Sequence, residues 1–406
     1  MGAGSTYTPE LVSGLDRLEV ERVAFHDVDA ERLEVVGGMA RRMLERQGFA
    51  GELVLTGELD GALEGADFVV IQIRVGGQEA RLRDETVPLA CGCIGQETTG
   101  AGGLAKALRT VPVVLDIAER VREQAAPDAW ILDFTNPVGI VTRALLDAGH
   151  RTVGLCNVAI GFQRSFARML GVEPGRLLVD QVGLNHLTWV RAVHLDGEDV
   201  LPQLIAEHGD NLAAQAHVSR RLVEELGAVP SYYLRYFYAH DDVLGEQLDA
   251  EPRAATVAGI ERDLLELYRD PSLTAKPALL ERRGGAFYSD AALGLLVSLA
   301  EGDGAVHVVD IRNAGTLAGL ADDDVVEVPA RVDRSGASPL PQAPLQPELL
   351  GLVQHVSAYE RLAAAAAVTE DRTLVRKALL AHPLIGQERI TEELLESLFA
   401  EQKVTT

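Results

Sequence analysis

Several side chains stand at spacings where they could do chemistry. Cys156-Asn157 closes the run Thr152-Val153-Gly154-Leu155, and Asn185-His186 follows Gly183-Leu184 further along. A thiolate and an imidazole suit a borderline transition metal. Two protein ligands are too few for a structural site, and they leave coordination positions that substrate hydroxyls can fill. The same spacing also accommodates a buried cysteine and a hydrogen-bonded histidine, and both readings stay open at this level. A third feature is the aromatic cluster Pro230-Ser231-Tyr232-Tyr233-Leu234-Arg235-Tyr236. Rings at helical spacing pack cores. A tyrosine, with a reference pKa of about 10, becomes a base only where a cation or metal lowers that value.

Glycine-rich and polar loops carry the other candidates. Gly2-Ala3-Gly4-Ser5-Thr6 forms a turn whose N–H groups could meet a pyrophosphate, and Asp27 follows at the distance of a ribose-binding acid. The third glycine of the usual fingerprint is missing, and a plain glycine turn fits as well. Only Met1 precedes this turn, so the first strand of a dinucleotide fold is expected to be truncated. Such a loss leaves ladder groups of the neighbouring strands unpaired and weakens cofactor binding. Gly76-Gly77 with Ala80-Arg81-Leu82-Arg83-Asp84-Glu85, then Gly95-Gln96-Glu97-Thr98-Thr99-Gly100, then Phe134-Thr135-Asn136-Pro137 supply further polar loops.

The elements between these loops determine whether they meet. Glu21–His26, Leu53–Thr56, Asp67–Ile73, Ala129–Phe134 and Thr152–Leu155 read as strands, and the run DFVVIQI is apolar enough to be buried on both faces. Helical stretches separate them, among them Ala30–Gln47. Strand and helix alternate, so the first half reads as a Rossmann-type parallel α/β sheet with its candidate loops on one edge. Beyond Leu155 the pattern turns helical, over Gly161–Leu170, Glu207–Leu226, Thr256–Tyr268 and Ser289–Leu299, with a ribbon at Val179–Leu195 and a strand at Asp324–Val332. The expected division is a dinucleotide-binding domain over 1–155 and a mostly helical α+β domain over 156–406.

Composition narrows the class. The 406 residues include 61 acidic and 37 basic side chains, a formal net charge of −24 that repels nucleic acid and anionic membrane. A local arginine pocket can still hold an anion, because salt screens the remaining charge beyond about 10 Å. Three cysteines in a chain this long point to a reducing compartment, and no basic-apolar leader opens the chain, so a cytoplasmic enzyme is expected.

Taken in order, GAGSTYTPEL, IRVGGQEARLRDE, IGQETTGAGG, FTNP, GLCN, GLNHL, PSYYLRY, RGGAFYS, VVEVPARVDRSGASPLP and ALLAHPL resemble glycoside hydrolase family 4 over nearly the whole chain. This resemblance implies an NAD-dependent and divalent-metal-dependent glycosidase, the exception to two-carboxylate hydrolysis, working by oxidation at sugar C3, elimination, water addition and reduction. By matching motifs it implies Cys156 and His186 as ligands of Mn2+ or another divalent metal, Tyr233 as the base with Tyr232 as the alternative, and Glu97 as the acid that tunes it. It also implies Gly2, Gly4, Ser5, Thr6 and Asp27 at NAD, and Arg81, Asn136, Asn157 and Arg253 at the substrate. Asn157 resembles the 6-phospho-β-glucosidases, since the phospho-α-glucosidases usually carry an aspartate there. Ala159 departs from the proline of that motif, with an expected effect on the local loop only. The implied ligand is a small phosphorylated glycoside, and the implied assembly a dimer or tetramer. Other activities of the family, a malate- or lactate-type dehydrogenase and an inactive truncated relative are the competing expectations.

Overall fold

Apolar runs of the first half become strands in a computed structural model that describes residues 1–283 and 287–400. Strands β1 (Arg22–His26) and β2 (Glu52–Thr56) pair in parallel, and β3 (Phe68–Ile71), β4 (Trp130–Asp133) and β5 (Thr152–Gly154) form a second parallel set. The crossovers are helical, as parallel pairing requires. The helix Ala30–Gln47 shows why its ends fall where they do. The Asp29 carboxylate accepts from Arg32 N at its start, and Gly48 takes a left-handed conformation (φ 76°) at its end.

Strands β1 and β3 do not pair with each other. The chain's first residues lie between their ends. Met1 N donates to Val70 O (2.8 Å), Gln72 N donates to Met1 O (3.1 Å), and Gly2 and Ala3 N donate to His26 O. The expected first strand is therefore represented here by single bridging contacts, and the described sheet is split at this point.

Past residue 155 the sheet continues. The hairpin β6 (Leu177–Leu184) and β7 (Leu187–Leu195) is followed by the short strands β8 (Glu198–Asp199) and β9 (Val229–Pro230), then β10 (Val306–Arg312), β11 (Val325–Asp333) and β12 (Gly336–Pro339). The order β3-β4-β5-β10-β11-β6-β7-β8 makes one ten-stranded sheet with β9 and β12 attached, parallel at one end and antiparallel from β5 onward. Two expectations change here. The helix read over Glu207–Leu226 is two helices, Leu201–Ala216 and Arg220–Leu226, because His217 adopts φ 54° and Ser219 caps the second by accepting from Leu222 N. The strand β10 was missing from the sequence pattern, yet it joins the two halves.

The main core lies under this sheet. The helices Gly100–Gln124 and Pro347–Thr369 pack against each other, the Tyr359 hydroxyl donating to the Gly100 carbonyl (3.0 Å). A second apolar cluster, with Phe162, Phe166 and Leu204, fills the space beneath the β6–β7 hairpin. No helix of the described residues is long and apolar enough to cross a membrane. All three cysteines are unpaired.

Candidate active site

The carboxyl ends of the parallel strands place the candidate loops along one edge. Asp27 follows β1, Arg74 follows β3, Asn136 follows β4 and Cys156 follows β5. His186 comes from the other part of the sheet, in the two-residue turn of the β6–β7 hairpin, where Leu184 pairs with Leu187. Its φ of 62° lies in the left-handed region, a conformation that costs a non-glycine residue of order 1–3 kcal/mol. The neighbouring Asn185 anchors the turn, its amide nitrogen donating to Glu327 Oε2 (2.8 Å) and Asp310 Oδ2 (3.2 Å).

Those two carboxyls belong to a row that crosses the sheet. Asp133 pairs with Gly154, Gly154 with Asp310, Asp310 with Glu327 and Glu327 with Gly183. The glycines leave the room, since a Cβ on Gly154 would stand 2.8 Å from Asp310 Cβ. Asp310, Glu327 and Asp133 are fully buried, and among the described residues their hydrogen-bond partners include no cation. Burial pushes Asp133 up to about 8, and burial with the adjoining Glu327 pushes Asp310 well above the carboxylate range.

His186 is 6% exposed, and its ring stacks on Tyr233 with centroids 3.6 Å apart and planes 11° apart. Its tautomer follows from its neighbour. With the Thr98 hydroxyl proton given to Gln96 Oε1 (2.8 Å), one of the two arrangements the contacts allow, Thr98 Oγ1 accepts from His186 Nδ1 at 2.9 Å. Nδ1 then carries the proton, and the Nε2 lone pair is left as a ligand. Burial, with Lys106 adding to it, pushes the imidazole pKa down to about 3, so the ring is neutral as a metal ligand must be.

Cys156 is also buried. Burial and the charge of Glu327 raise its thiol, while the N–H groups of Val158 and Asn157, at the start of the helix Val158–Leu170, pull the other way. The donor set thus fits a divalent ion with soft and borderline character. Among the described residues no cluster of three or more histidine, cysteine or carboxylate groups is arranged to hold a metal.

Glu97 stands at the centre of a cation cluster. Lys106 Nζ lies 2.7 Å from Glu97 Oε2, Arg81 Nε lies 3.2 Å from Oε1, and Arg74 is paired with the same carboxylate. Burial alone would raise this acid. Lys106, Arg74 and Arg81 outweigh it and hold Glu97 well below the usual carboxylate range. Lys106, itself buried, is pushed down to about 8 by burial and by Arg74. Tyr233 is raised well above the ordinary phenol value by burial, by Cys156 and by further neighbours including Glu97.

The other sequence candidates fall as follows. Asn136 Oδ1 is buried without a hydrogen-bond partner among the described residues, an acceptor free for a ligand hydroxyl. Arg81 also donates to Glu85 (2.7 Å). Asn157 accepts a long contact from Cys156 Sγ (3.9 Å) and lines an adjoining cleft. Tyr232 is 39% exposed and hydrogen-bonded to Arg235, with its ring set edge-on to Tyr233. Arg253 is exposed at the start of the helix Arg253–Tyr268, donating to the carbonyl of Arg282 (3.1 Å). In the RGGAFYS run, residues 284–286 lie outside the described residues.

In the glycine turn, Gly2 has φ 81° and Gly4 N donates to Asp27 Oδ2 (2.8 Å). A Cβ on Gly4 would come within 2.9 Å of the Asp27 carboxyl, so only glycine lets the backbone approach that acid. Ser5 and Thr6 continue the turn, and Thr6 Oγ1 is buried without a partner among the described residues. A close backbone turn beside an acid fits a dinucleotide. Arg74, Lys106 and Thr98 were not singled out from the sequence. Arg74 and Thr98 lie inside runs that were quoted without a role of their own, whereas Lys106 is one of four cations on the helix Gly100–Gln124 and gave no signal.

This edge, with its nucleotide-type turn and its Cys–His–Tyr group, is that of a sugar-processing enzyme on a dehydrogenase-like sheet. The chain belongs to the family 4 glycosyl hydrolases: the model "Family 4 glycosyl hydrolase" matches residues 1–172, and that of the family's C-terminal domain matches 181–385. A relative described as "Probable 6-phospho-beta-glucosidase", from Bacillus subtilis (strain 168), is 39% identical and aligns over 99% of this chain and 95% of its own length. The structure of the 6-phospho-β-glucosidase from Thermotoga maritima with manganese, NAD+ and glucose-6-phosphate superimposes with a TM-score of 0.92 at 32% identity, covering 99% of this chain and 97% of the other. Malate dehydrogenase from Plasmodium falciparum matches at TM-score 0.56 and 13% identity, over 90% of this chain and 96% of its own, a likeness of fold alone.

Proposed function

We propose that this chain hydrolyses 6-phospho-β-glucosides with NAD+ and Mn2+, and that Cys156, His186 and Tyr233 form its reaction centre. The observation that carries this is the stacking of the Tyr233 ring on His186, whose Nε2 is left as a free ligand. When bound, the nicotinamide supplies reversible oxidation at the sugar and the metal ion supplies Lewis acidity at the neighbouring oxygens. Cys156 and His186 hold the ion, and Gly2, Gly4, Ser5, Thr6 and Asp27 hold the dinucleotide. Tyr233 removes the proton from C2, next to the oxidised carbon. Burial, with negative groups beside it, raises this phenol, so it needs a positive charge nearby before it can act as a base, which a metal ion held by Cys156 and His186 would supply. Lys106, Arg74 and Arg81 pair with Glu97, so that this acid orders the loop while its charge near Tyr233 is largely offset.

Asn136 accepts from a sugar hydroxyl, Arg81 and Asn157 contact the substrate, and Arg253 serves its phosphate end, where a guanidinium fork suits the anion. We further propose a division of labour between 1–155, which binds NAD, and 156–406, which supplies His186, Tyr233 and most of the substrate surface, in a cytoplasmic dimer or tetramer. The test is hydrolysis of a nitrophenyl 6-phospho-β-glucoside, its α-anomer and its unphosphorylated form, each with and without NAD+ and Mn2+. The β-phosphoglycoside is expected to be cleaved only with both present. Full turnover after chelation, or NADH accumulating in step with product, overturns the proposal. Tyr233→Phe is expected to abolish turnover while NAD+ and Mn2+ binding, followed by calorimetry, persist; retained turnover moves the base to Tyr232.

A further inference from the structure

Cys156 and His186 stand on segments far apart in sequence, and one buried side chain touches both segments. Asp310, on β10, pairs through its backbone with Gly154, just before Cys156. Its Oδ2 accepts from the amide of Asn185 (3.2 Å), which directly precedes His186. The same amide donates to Glu327 Oε2 (2.8 Å), and Glu327, on β11, pairs with Asp310 on one side and Gly183 on the other. Gln181, on β6, donates to the second oxygen of Glu327 (2.7 Å) and to Thr188 on β7 (3.1 Å). The turn that carries His186 is thus held from below by two acids and an amide, all three buried.

The turn needs that hold, because its own residues do not select its shape. The common two-residue hairpin turns have positive φ at the first central residue, alone or together with the second. Here the first, Asn185, keeps a negative φ and the second, His186, takes φ 62°. Glycine or asparagine adopts that conformation readily and histidine does not. A residue persists there only when its surroundings over-determine it. Asp310 itself gives the fold little in return: its Oδ1 is buried without a partner among the described residues, an arrangement that ordinarily costs stability. Its placement is explained by what Oδ2 holds.

We infer that Asp310 and Glu327 are positioning residues: through Asn185 they fix the backbone of His186, and so its distance from Cys156, which sets the affinity of the site for a divalent ion. This rests on the proposed role of Cys156 and His186 as the ion's ligands. The acids act as acceptors for the Asn185 amide, and an uncharged acceptor at position 310 serves equally.

The experiment titrates Mn2+ into the full chain with NAD+ by calorimetry, and measures NAD+ affinity without metal and the melting temperature beside it. Asp310→Leu keeps the bulk and removes the acceptor, Asp310→Asn keeps a carbonyl oxygen for Asn185, and Asn185→Ala removes the amide. The Mn2+ dissociation constant is expected to rise about 10- to 100-fold in Asp310→Leu and Asn185→Ala, the range typical of partners that orient metal ligands, and to stay within about threefold in Asp310→Asn. NAD+ affinity is expected to be unchanged in all three, whereas a role confined to holding the fold would lower it together with Mn2+ binding. Unchanged Mn2+ binding in Asn185→Ala overturns the inference, as does a parallel loss of NAD+ binding, or an Asp310→Asn variant as weak as Asp310→Leu. If Asp310→Leu does not fold, Asn185→Ala, whose change lies in the turn and not within a strand, decides. His186→Ala separates this inference from the proposed reaction. If it binds Mn2+ like the parent, the ligand assignment falls and the inference with it; if it loses Mn2+ while Asn185→Ala does not, the positioning role alone falls.

Discussion

Replacing Thr98 by valine removes one oxygen and should weaken metal binding through a histidine it never displaces. In the arrangement tested, the Thr98 hydroxyl accepts the Nδ1 proton of His186 at 2.9 Å while donating its own proton to Gln96. Valine keeps the branched shape and leaves the buried Nδ1–H without an acceptor. That state costs about 1–3 kcal/mol, and the ring can avoid it only by shifting its proton to Nε2, the nitrogen needed for the metal. Partners of this kind typically alter metal affinity about 10- to 100-fold, which at about 1.4 kcal/mol per tenfold is about 1.4–2.8 kcal/mol, the same size as the hydrogen-bond cost. Gln96 keeps the N–H of Thr99 as a donor (3.0 Å), so the loop retains its shape. Mn2+ titration by calorimetry should therefore give a dissociation constant about 10- to 100-fold higher for Thr98→Val, with Thr98→Ser close to the parent and His186→Ala weakest. A valine variant that binds Mn2+ within twofold of the parent would refute the tautomer and, with it, the role given to Nε2.

Three further expectations concern the surroundings of the site. Asp133 and Glu360 are each pushed up to about 8 by burial, so between the unfolded carboxyl range near 4 and pH 8 the folded state holds protons that the unfolded state has lost. Their contribution to stability is complete below pH 4 and declines up to about pH 8; Glu360→Gln should thus gain melting temperature relative to the parent as pH rises from 5 to 8, and a constant difference across calorimetric scans would contradict this. Gly4→Ala drives a methyl group to within 2.9 Å of the Asp27 carboxyl and 3.0 Å of Arg32 Cβ, so NAD+ affinity should fall at least tenfold with little change in melting temperature; equal affinity by equilibrium dialysis would remove this turn from the cofactor site. Lys106→Met leaves Glu97 with two cations instead of three; breaking a buried pair costs about 3–5 kcal/mol, and with Arg74 and Arg81 remaining a loss of roughly 3 kcal/mol is expected in urea unfolding, whereas less than about 1 would show that the lysine is dispensable to the cluster.

The sequence made the parallel half of the sheet legible because its strands are short apolar runs buried on both faces, and helices with clear caps separate them. The edge on which the loops gather followed from that topology. Cys156, His186 and Tyr233 could be named, but their approach could not be read from spacing, since the two ligands arrive from distant strands and the tyrosine from a short 3-10 turn (Tyr232–Leu234). The row from Asp133 through Asp310 to Glu327 left no trace in the pattern either. Carboxylates within strands ordinarily mark a solvent face, and only the pairing with Gly154 and Gly183 reveals that these are interior. The break at His217 escaped because nothing in a histidine announces a left-handed backbone, whereas the glycine at the end of the Ala30–Gln47 helix does.

Strand β10 carries a consequence for how this protein could be taken apart. It lies between β5, from the parallel part, and β11, and so ties the strands that carry Cys156 and His186 into one hydrogen-bonded plate. A plate does not hinge. Drawing Cys156 and His186 apart by a rocking of halves would break that ladder, so movement at this edge is expected from the loops and helices above it. The same weld means that fragments cut near residue 155 would each expose a bare strand, β5 on one side and β10 on the other. Recombination between relatives at that point would therefore trade whole plates more safely than halves of one.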